Sequence, residues 1–531
     1  MDRLQLGGDL IRGRGAVAEQ HHEHSRVIEE VDLVAPGLVD QVAVAHHLKL
    51  QVVTEAKASR HVYDPGRPAT RATGRCLVVL RIPTGRLRES AAFGKGGGKV
   101  MAARGSVGKQ ATQLARHAGP KHPNRPELLF ISPTLPDDRG NGLAMRGALF
   151  LRAFCRRWNV RLLVVDLFGT GVPFRAWPRV TESCAEAVMI RPAPDPLLDH
   201  IAAIPDPAWR AAAMAGYRLP RLASFAQPTA VRAALACLGC RNFNRVHAFR
   251  LYMAPFAAPF LKSARSSLDA DDDDACAAAS MADLSAYTAR PSEGDAHRAE
   301  SARWAKLAAD WAPRFDLVSF AAPGDAERLG RRLGLRTVCV PNAVRLPARL
   351  PPPESAEPFT LLFVGTMSYL PNLDAATLLA REVLPALRRR SPLPLRLVLV
   401  GGPVGALASL VGMPDVVVTG SVADLRPFYA ASHVVLAPLR AGGGTRIKIL
   451  EAMAHARPVV ATPIGAEGLA AEDGVHLLLG ADAKALAEAC HRLQCRPELA
   501  ATLSANGRAL VARRYAQTVV MRQIGRMLSD E

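Results

Sequence analysis

No apolar run in this 531-residue chain comes near the roughly 18 to 20 residues a helix needs to cross a bilayer. Its opening residues, MDRLQLGGDLIRGRG, hold no continuous apolar stretch of the kind that directs export. A soluble or peripherally bound cytoplasmic protein is therefore expected. Acidic residues are scarce relative to basic ones, 48 against 67, which leaves a net charge of +19. Such a field suits nucleic acid, an anionic membrane surface or acidic substrates alike, so charge selects none of them. No nucleic-acid-binding module is visible, so no nucleic-acid partner is expected, and the inner face of the cell membrane remains a compatible surface. The nine cysteines are odd in number and scattered through apolar segments, which argues for reduced thiols. Cys237 and Cys240 have zinc spacing but lack a second pair to complete four ligands, so no metal is expected. Gly94 to Lys99 is not a phosphate-binding Walker loop, because Phe93 and Val100 occupy the positions that would need Gly and Ser or Thr.

Residues 1–125 also lack sustained helical or strand rhythm and carry loose histidine clusters, and are read as a poorly ordered or spurious extension with Met101 as an alternative start. From Glu127 onward the pattern is regular. Glu127 to Ser132 reads as a buried parallel strand, Pro133 to Gly142 as a glycine-bearing loop, Leu143 to Trp158 as a helix and Val160 to Val165 as a second strand. This is the opening βαβ unit of a doubly wound sheet, with Gly140 and Gly142 placed in its substrate-binding loop. Asn244 to Arg250, Arg314 to Phe320 and Leu335 to Val340 continue the strands. The stretch from Leu350 to Pro358 reads as an interdomain linker. The same rhythm restarts at Phe359 to Val364, with later strands at Leu395 to Val400, Val416 to Val418, His433 to Leu436 and Pro458 to Ala461. The expected organisation is α/β: an N-terminal Rossmann-like domain at 126–340, a C-terminal Rossmann-like domain at 341–515, and a last helix at 516–531. The run from Leu268 to Asp274 crowds its acids too closely for a cation site and reads as a solvated loop.

The informative segment runs from Ala437 to His455. Gly442, Gly443 and Gly444 follow a strand, Thr445 sits at the natural N-cap, and an amphipathic helix starts at Ile447. Glycines let backbone N–H groups approach an anion, and the helix N-terminus adds partial positive charge. Arg446 and Lys448 oppose the helix dipole, a local cost that a bound diphosphate would offset. Glu451 can accept hydrogen bonds from two ribose hydroxyls, or pair with Lys448 three positions away on the surface.

Glu451-Ala-Met-Ala-His455-Ala-Arg457-Pro458-Val-Val-Ala461-Thr resembles the signature of the retaining family-four glycosyltransferases, E-A-M-A-x-G-x-P-V-V-A-T/S. The resemblance extends through Phe363 to Asn372, Val400 to Pro403, Gly420 to Pro427 and Ile464 to Leu469. It implies two Rossmann-like domains facing across a cleft (the GT-B fold), with no cofactor or metal. The donor would be a nucleoside diphosphate sugar and the acceptor a glycan or a lipid-linked molecule. Position by position, it implies that Glu451 holds the ribose and Gly443 to Lys448 the diphosphate. Gly365 and Thr366 would line the donor cleft, and Gly420, Ser421 and Val422 would lie beside the base. The family usually has a glutamate eight residues before Glu451, which contacts donor-sugar hydroxyls; here that position is Gly443. The basic pair expected after the domain's first strand is replaced by Thr366 to Tyr369, which shifts the phosphate role onto Arg446 and Lys448.

Val246 to Arg250 looks like the family strand that ends near the acceptor in a His-x-His pair, with Phe249 in the second histidine position. His247 or Arg250 would then face the transferred sugar, although a lone strand histidine also suits a core. The spacing of Val520, Ile524 and Met527 predicts a last helix that, as in the resembled family, returns to the first domain. A nucleotide-sugar binder without transfer activity and a sugar-nucleotide epimerase of the same fold are the competing readings.

Overall fold

In Glu127–Ser132 the last five of six side chains are buried, a pattern that suits a parallel strand covered on both faces. The computed structural model describes residues 111–138, 141–168, 179–239, 242–288, 291–348 and 357–528, and before them only short strands. Six of those, from Arg3–Leu6 to Cys76–Val79, pair antiparallel within a unit of their own, Met1–Gly105. The other residues of that unit, its histidine clusters and the Gly94 to Lys99 stretch included, lie outside the described residues.

The N-terminal sheet is built from β1 (Ala111–Ala118), β2 (Glu127–Ser132), β3 (Asn159–Val165), β4 (Glu186–Pro192), β5 (Arg245–Phe249), β6 (Arg265–Asp271), β7 (Leu317–Phe320) and β8 (Thr337–Cys339). Its order is β8-β7-β6-β5-β2-β3-β4-β1, parallel except for β1, which pairs antiparallel with β4. Residues 111–118 thus join this sheet ahead of the expected boundary at 126. An edge strand needs no continuous apolar run, which is why Ala-Thr-Gln-Leu-Ala-Arg-His-Ala gives no strand signal. The C-terminal sheet holds β9 (Phe359–Val364), β10 (Leu395–Val400), β11 (Val416–Gly420), β12 (Val434–Ala437), β13 (Val459–Ala461) and β14 (Leu478–Leu479). These run parallel in the order β11-β10-β9-β12-β13-β14. In each sheet the order reverses beside the first parallel strand, between β2 and β5 and between β9 and β12. Open α/β sheets bind ligands at such reversals, at the carboxyl ends of the strands.

Period-2 alternation sorts the side chains to the two faces of each sheet. Leu129 and Ile131 join one N-terminal core, Leu128 and Phe130 the other. The second of these is closed by helix α1 (Gly142–Cys155) and by the chain's last helix. That helix, Gln517–Met527, places Val520, Ile524 and Met527 in the cluster holding Phe150 and Phe154 of α1. Arg245 also donates to the Leu528 carbonyl at 3.0 Å. The two crossings between lobes run side by side, with Val344 donating to the Tyr515 carbonyl (2.9 Å) and Gln517 to that of Val344 (3.2 Å).

The acidic run departs from expectation. Asp269 is buried in β6 instead of lying in a solvated loop, and Asp271 ends the strand. Arg146 of α1 reaches both Asp269 oxygens at 2.7 and 2.8 Å and Asp271 at 3.2 Å, while Ser319 donates to Asp269 at 2.6 Å. A paired, hydrogen-bonded carboxylate tolerates burial that an isolated one does not. No helix among the described residues is long and apolar enough to cross a membrane. Most of the expected linker, residues 349–356, lies outside the described residues.

Candidate functional site

Both lobes present strand ends and glycines to one another, and the C-terminal lobe supplies most of the site. Three glycine-bearing turns meet at the ends of β9, β10 and β11. Gly365 N donates to the Val400 carbonyl at 3.0 Å, and Gly401 N to that of Gly420 at 2.9 Å. A Cβ on Gly402 would lie 2.6 Å from the Ser421 hydroxyl, so Gly365, Thr366, Gly420, Ser421 and Val422 belong to one ledge.

The loop between β12 and helix α2 (Ile447–Ala454) comes up beside this ledge. Gly442 and Gly444 have φ of +117° and +70°, which side chains rarely adopt. The opposite lobe is also close. A Cβ on Gly443 would lie 2.9 Å from Ala277 Cβ, and one on Gly444 would overlap the Asp272 carboxylate. Gly442 N donates to the Ser280 hydroxyl at 2.9 Å. Thr445 does not cap α2: its hydroxyl donates across the cleft to the Ala321 carbonyl at 3.1 Å, and extended Arg446 holds the N-cap position. From the other side, a Cβ on Gly142 would come within 2.7 Å of Ile447. Gly140 lies outside the described residues.

The two cations are withdrawn from water further than a surface first turn implies, Arg446 buried and Lys448 half-buried. Arg446 folds back beneath its loop onto the Gly443 carbonyl, and its Nε has no partner. Lys448 donates to Asn372 Oδ1 at 2.6 Å and stands 4.4 Å from the Phe363 ring centre. Burial pushes its ammonium down to about 7, with neighbouring Arg446 adding to the shift. Asn372 in turn donates to the Thr366 carbonyl at 2.9 Å, tying Lys448 to the ledge. Two basic side chains are thus held out of water beside the glycine loop.

One helical turn on, Glu451 accepts from the Tyr429 hydroxyl at 3.4 Å, whereas Lys448 has turned to Asn372. Burial raises the Glu451 carboxyl, against the pull of Tyr429 and Lys448. Tyr429 itself stacks on His455, with ring centres 4.5 Å apart.

Of the N-terminal residues, His247 is fully buried. Its ring stacks on Phe150 at 5.0 Å, touches Phe130 and Phe154, and contacts the Ser267 hydroxyl through Nδ1 at 2.8 Å. Burial, then the charge of Arg146, lowers it to about 3. The expected catalytic role is corrected: alternation along β5 turns this side chain into the α1 core and away from the cleft. Arg250, at a φ of +77°, binds Asp271 at 2.6 Å and Asp274 at 2.8 Å, which leaves it as an organiser of the acidic turn.

Sequence reasoning missed Ser280, which lies in no recognisable motif, and read Asp272 only as part of a solvated acidic run. It gave Asn372 no task either, although this residue ends a stretch that resembles the family. Only position shows their use. Among the described residues no group of three or more His, Cys, Asp and Glu is arranged to hold a metal.

Residues 358–495, which include the ledge, the glycine loop and Glu451, match the family model for glycosyl transferases group 1. The C-terminal lobe is a group 1 glycosyl transferase domain. Solved structures resemble the chain over both lobes. Sucrose-phosphate synthase from Thermosynechococcus elongatus has a TM-score of 0.53 at 18% identity, covering 76% of this chain and 99% of that one. A point mutant of S. aureus TarM, solved with Fondaparinux, alpha-GlcNAc-glycerol and UDP, gives 0.52 at 9% identity over 76% and 99%. Anabaena HepE with UDP and glucose gives 0.50 at 16% identity over 77% and 100%. At such identities the likeness is one of fold: two Rossmann-like lobes facing across a cleft, the GT-B arrangement. No curated protein sequence matches the chain.

Proposed function

We propose that the protein transfers a sugar from a nucleoside diphosphate sugar, bound mainly by the group 1 domain, to a glycan or lipid-linked acceptor held by the N-terminal lobe, with retention of anomeric configuration. The observation that carries this reading is the meeting of the Gly442–Gly444 loop, Arg446 and Lys448 at the β9/β12 reversal of a group 1 glycosyl transferase domain. Two cations withdrawn from water beside a helix N-terminus suit a diphosphate, and they would stabilise it as the glycosidic bond loosens. Glu451 stands one turn further on, where ribose hydroxyls would meet it. The reaction runs in the cytoplasm with peripheral access to an anionic membrane face, in keeping with the free cysteines and the charge of +19. It draws on no cofactor or metal.

The test is a thermal-shift panel of UDP, GDP, ADP and their sugars, since a ligand that binds only the folded state raises its melting temperature. Stabilisation by one base series, followed by an NMR assignment of the product anomer as that of the donor, supports the proposal. Binding without turnover on any envelope acceptor would instead favour a nucleotide-sugar binder.

A further inference from the structure

The glycine at position 443 leaves the donor loop without a carboxylate, yet one lies against that loop. Asp272 follows β6 directly, and its carboxylate occupies the space where a Gly444 Cβ would stand. Its own Cβ lies 3.9 Å from where one on Gly443 would sit. Asp272 N donates to the Ala270 carbonyl at 2.9 Å, and Arg250 holds its carboxylate at 3.6 Å. Its side chain retains 24% exposure, so the group is held in place without being sealed from solvent. Resting on the function proposed above, we propose that Asp272 supplies from the opposite lobe the carboxyl group that position 443 lacks, and that it contacts the hydroxyls of the donor's sugar.

Three observations bear on this. First, the two arrangements exclude each other. A side chain at 443 would start 2.9 Å from Ala277 Cβ, so a glutamate there would force the helix Asp274–Tyr287 away, and it would set a second acid beside Asp272. Glycine at 443 is what lets this lobe carry its acid into the loop. Second, a donor beside the loop is left over: Arg446 is only 7% exposed, and although its terminal nitrogens reach the Gly443 and Ile464 carbonyls, its Nε has no partner. Third, burial and then Asp271 push Asp272 up to about 8 against the pull of Arg250. A carboxyl group largely protonated at neutral pH can donate to one sugar hydroxyl and accept from another. It also avoids repelling the adjacent diphosphate.

The experiment titrates the full chain with UDP, UDP-glucose, GDP, GDP-mannose, ADP and ADP-glucose, first as wild type and then as Asp272→Ala. Alanine removes the carboxyl group without adding bulk, and the melting temperature of the unliganded variant checks the fold. The expected result is a loss of about tenfold or more in affinity for the nucleotide sugar, with affinity for the matching free nucleoside diphosphate unchanged. If Asp272→Ala alters neither ligand, or weakens both by the same factor, Asp272 does not contact the sugar and the inference falls alone. A wild type that binds none of the six removes the functional reading, and this inference with it. As a second variant, Gly443→Glu in the wild-type background should weaken binding of both ligands by holding the lobes apart, and unchanged affinities there would refute the mutual exclusion.

Discussion

The two lobes share a topology but bury different chemistry. In the C-terminal sheet, Phe359–Val364 and Leu395–Val400 are nearly unbroken apolar runs, and polar function is left to the turns at their ends. In the N-terminal sheet, β5 carries His247, and β6 carries Ser266, Ser267 and Asp269 in the buried interior. They are held by cross-links: Ser266 to Asp316 at 3.0 Å, His247 to Ser267, and Arg146 to Asp269. An apolar strand announces itself in sequence. A polar strand becomes plausible only once its partners are known, and the partner that lets Asp269 stay buried, Arg146, stands more than a hundred positions away in the chain.

The largest effect should come from opening that network. Asp269→Ala leaves the Arg146 guanidinium buried without its bidentate partner and is expected to cost about 3–5 kcal/mol in urea unfolding. A loss below about 1 kcal/mol, the scale of an exposed pair, would mean that the two lobes do not differ in this way.

Lys448→Met in the C-terminal lobe should do the reverse. The methionine keeps the packing on Phe363, so stability changes little, while kcat/KM falls by an amount equivalent to about 2–4 kcal/mol. Equal kcat/KM in variant and wild type would remove Lys448 from the donor site.

The pH axis separates the lobes again. Lys448, lowered to about 7, loses its proton as pH rises through that value. Since the charged form attracts the diphosphate, affinity for the free nucleotide should decline from about pH 7 to about pH 9, and Lys448→Met should flatten the decline. His247 has a folded-state value of about 3, below its unfolded value of about 6.5, so it is neutral in the fold. The unfolded chain alone takes up the proton between these values. Stability is therefore full above about 6.5 and is lost as pH falls toward about 3, a slope that His247→Phe should reduce. A His247 that instead governed transfer at neutral pH with no effect on this slope would return it to the cleft.

The smallest effect is expected from removing residues 1–105, a unit separate from the two lobes. The truncated chain should keep its cooperative melt and nucleotide response. Loss of solubility or of the melt would make that unit structural.

The legible parts of the site were those in which backbone and short-range pattern carry the function. Glycines followed by a helix start, with a glutamate at fixed spacing, can be read without knowing what faces them. Where a side chain's task was set from across the cleft, the reading failed. Thr445 has the residue type of an N-cap, yet it bonds the Ala321 carbonyl, which the opposite lobe brings against it. His247 sits on the expected strand, but the parity of one position sends it into the core instead of the cleft. The withdrawal of Arg446 and Lys448 from water was equally hidden, since it comes from Gly443, Asn372 and Phe363 folding over them.

Unaided, the residue order specifies the two α/β repeats and the glycine loop leading into the Glu451 helix, because apolar periodicity and glycine positions act over a few residues. The burial of β6, the place of His247 in the core and the facing of Asp272 onto Gly444 were settled by the folded arrangement. Each of these depends on contacts between residues far apart in the chain, and local pattern holds no record of them until the lobes close.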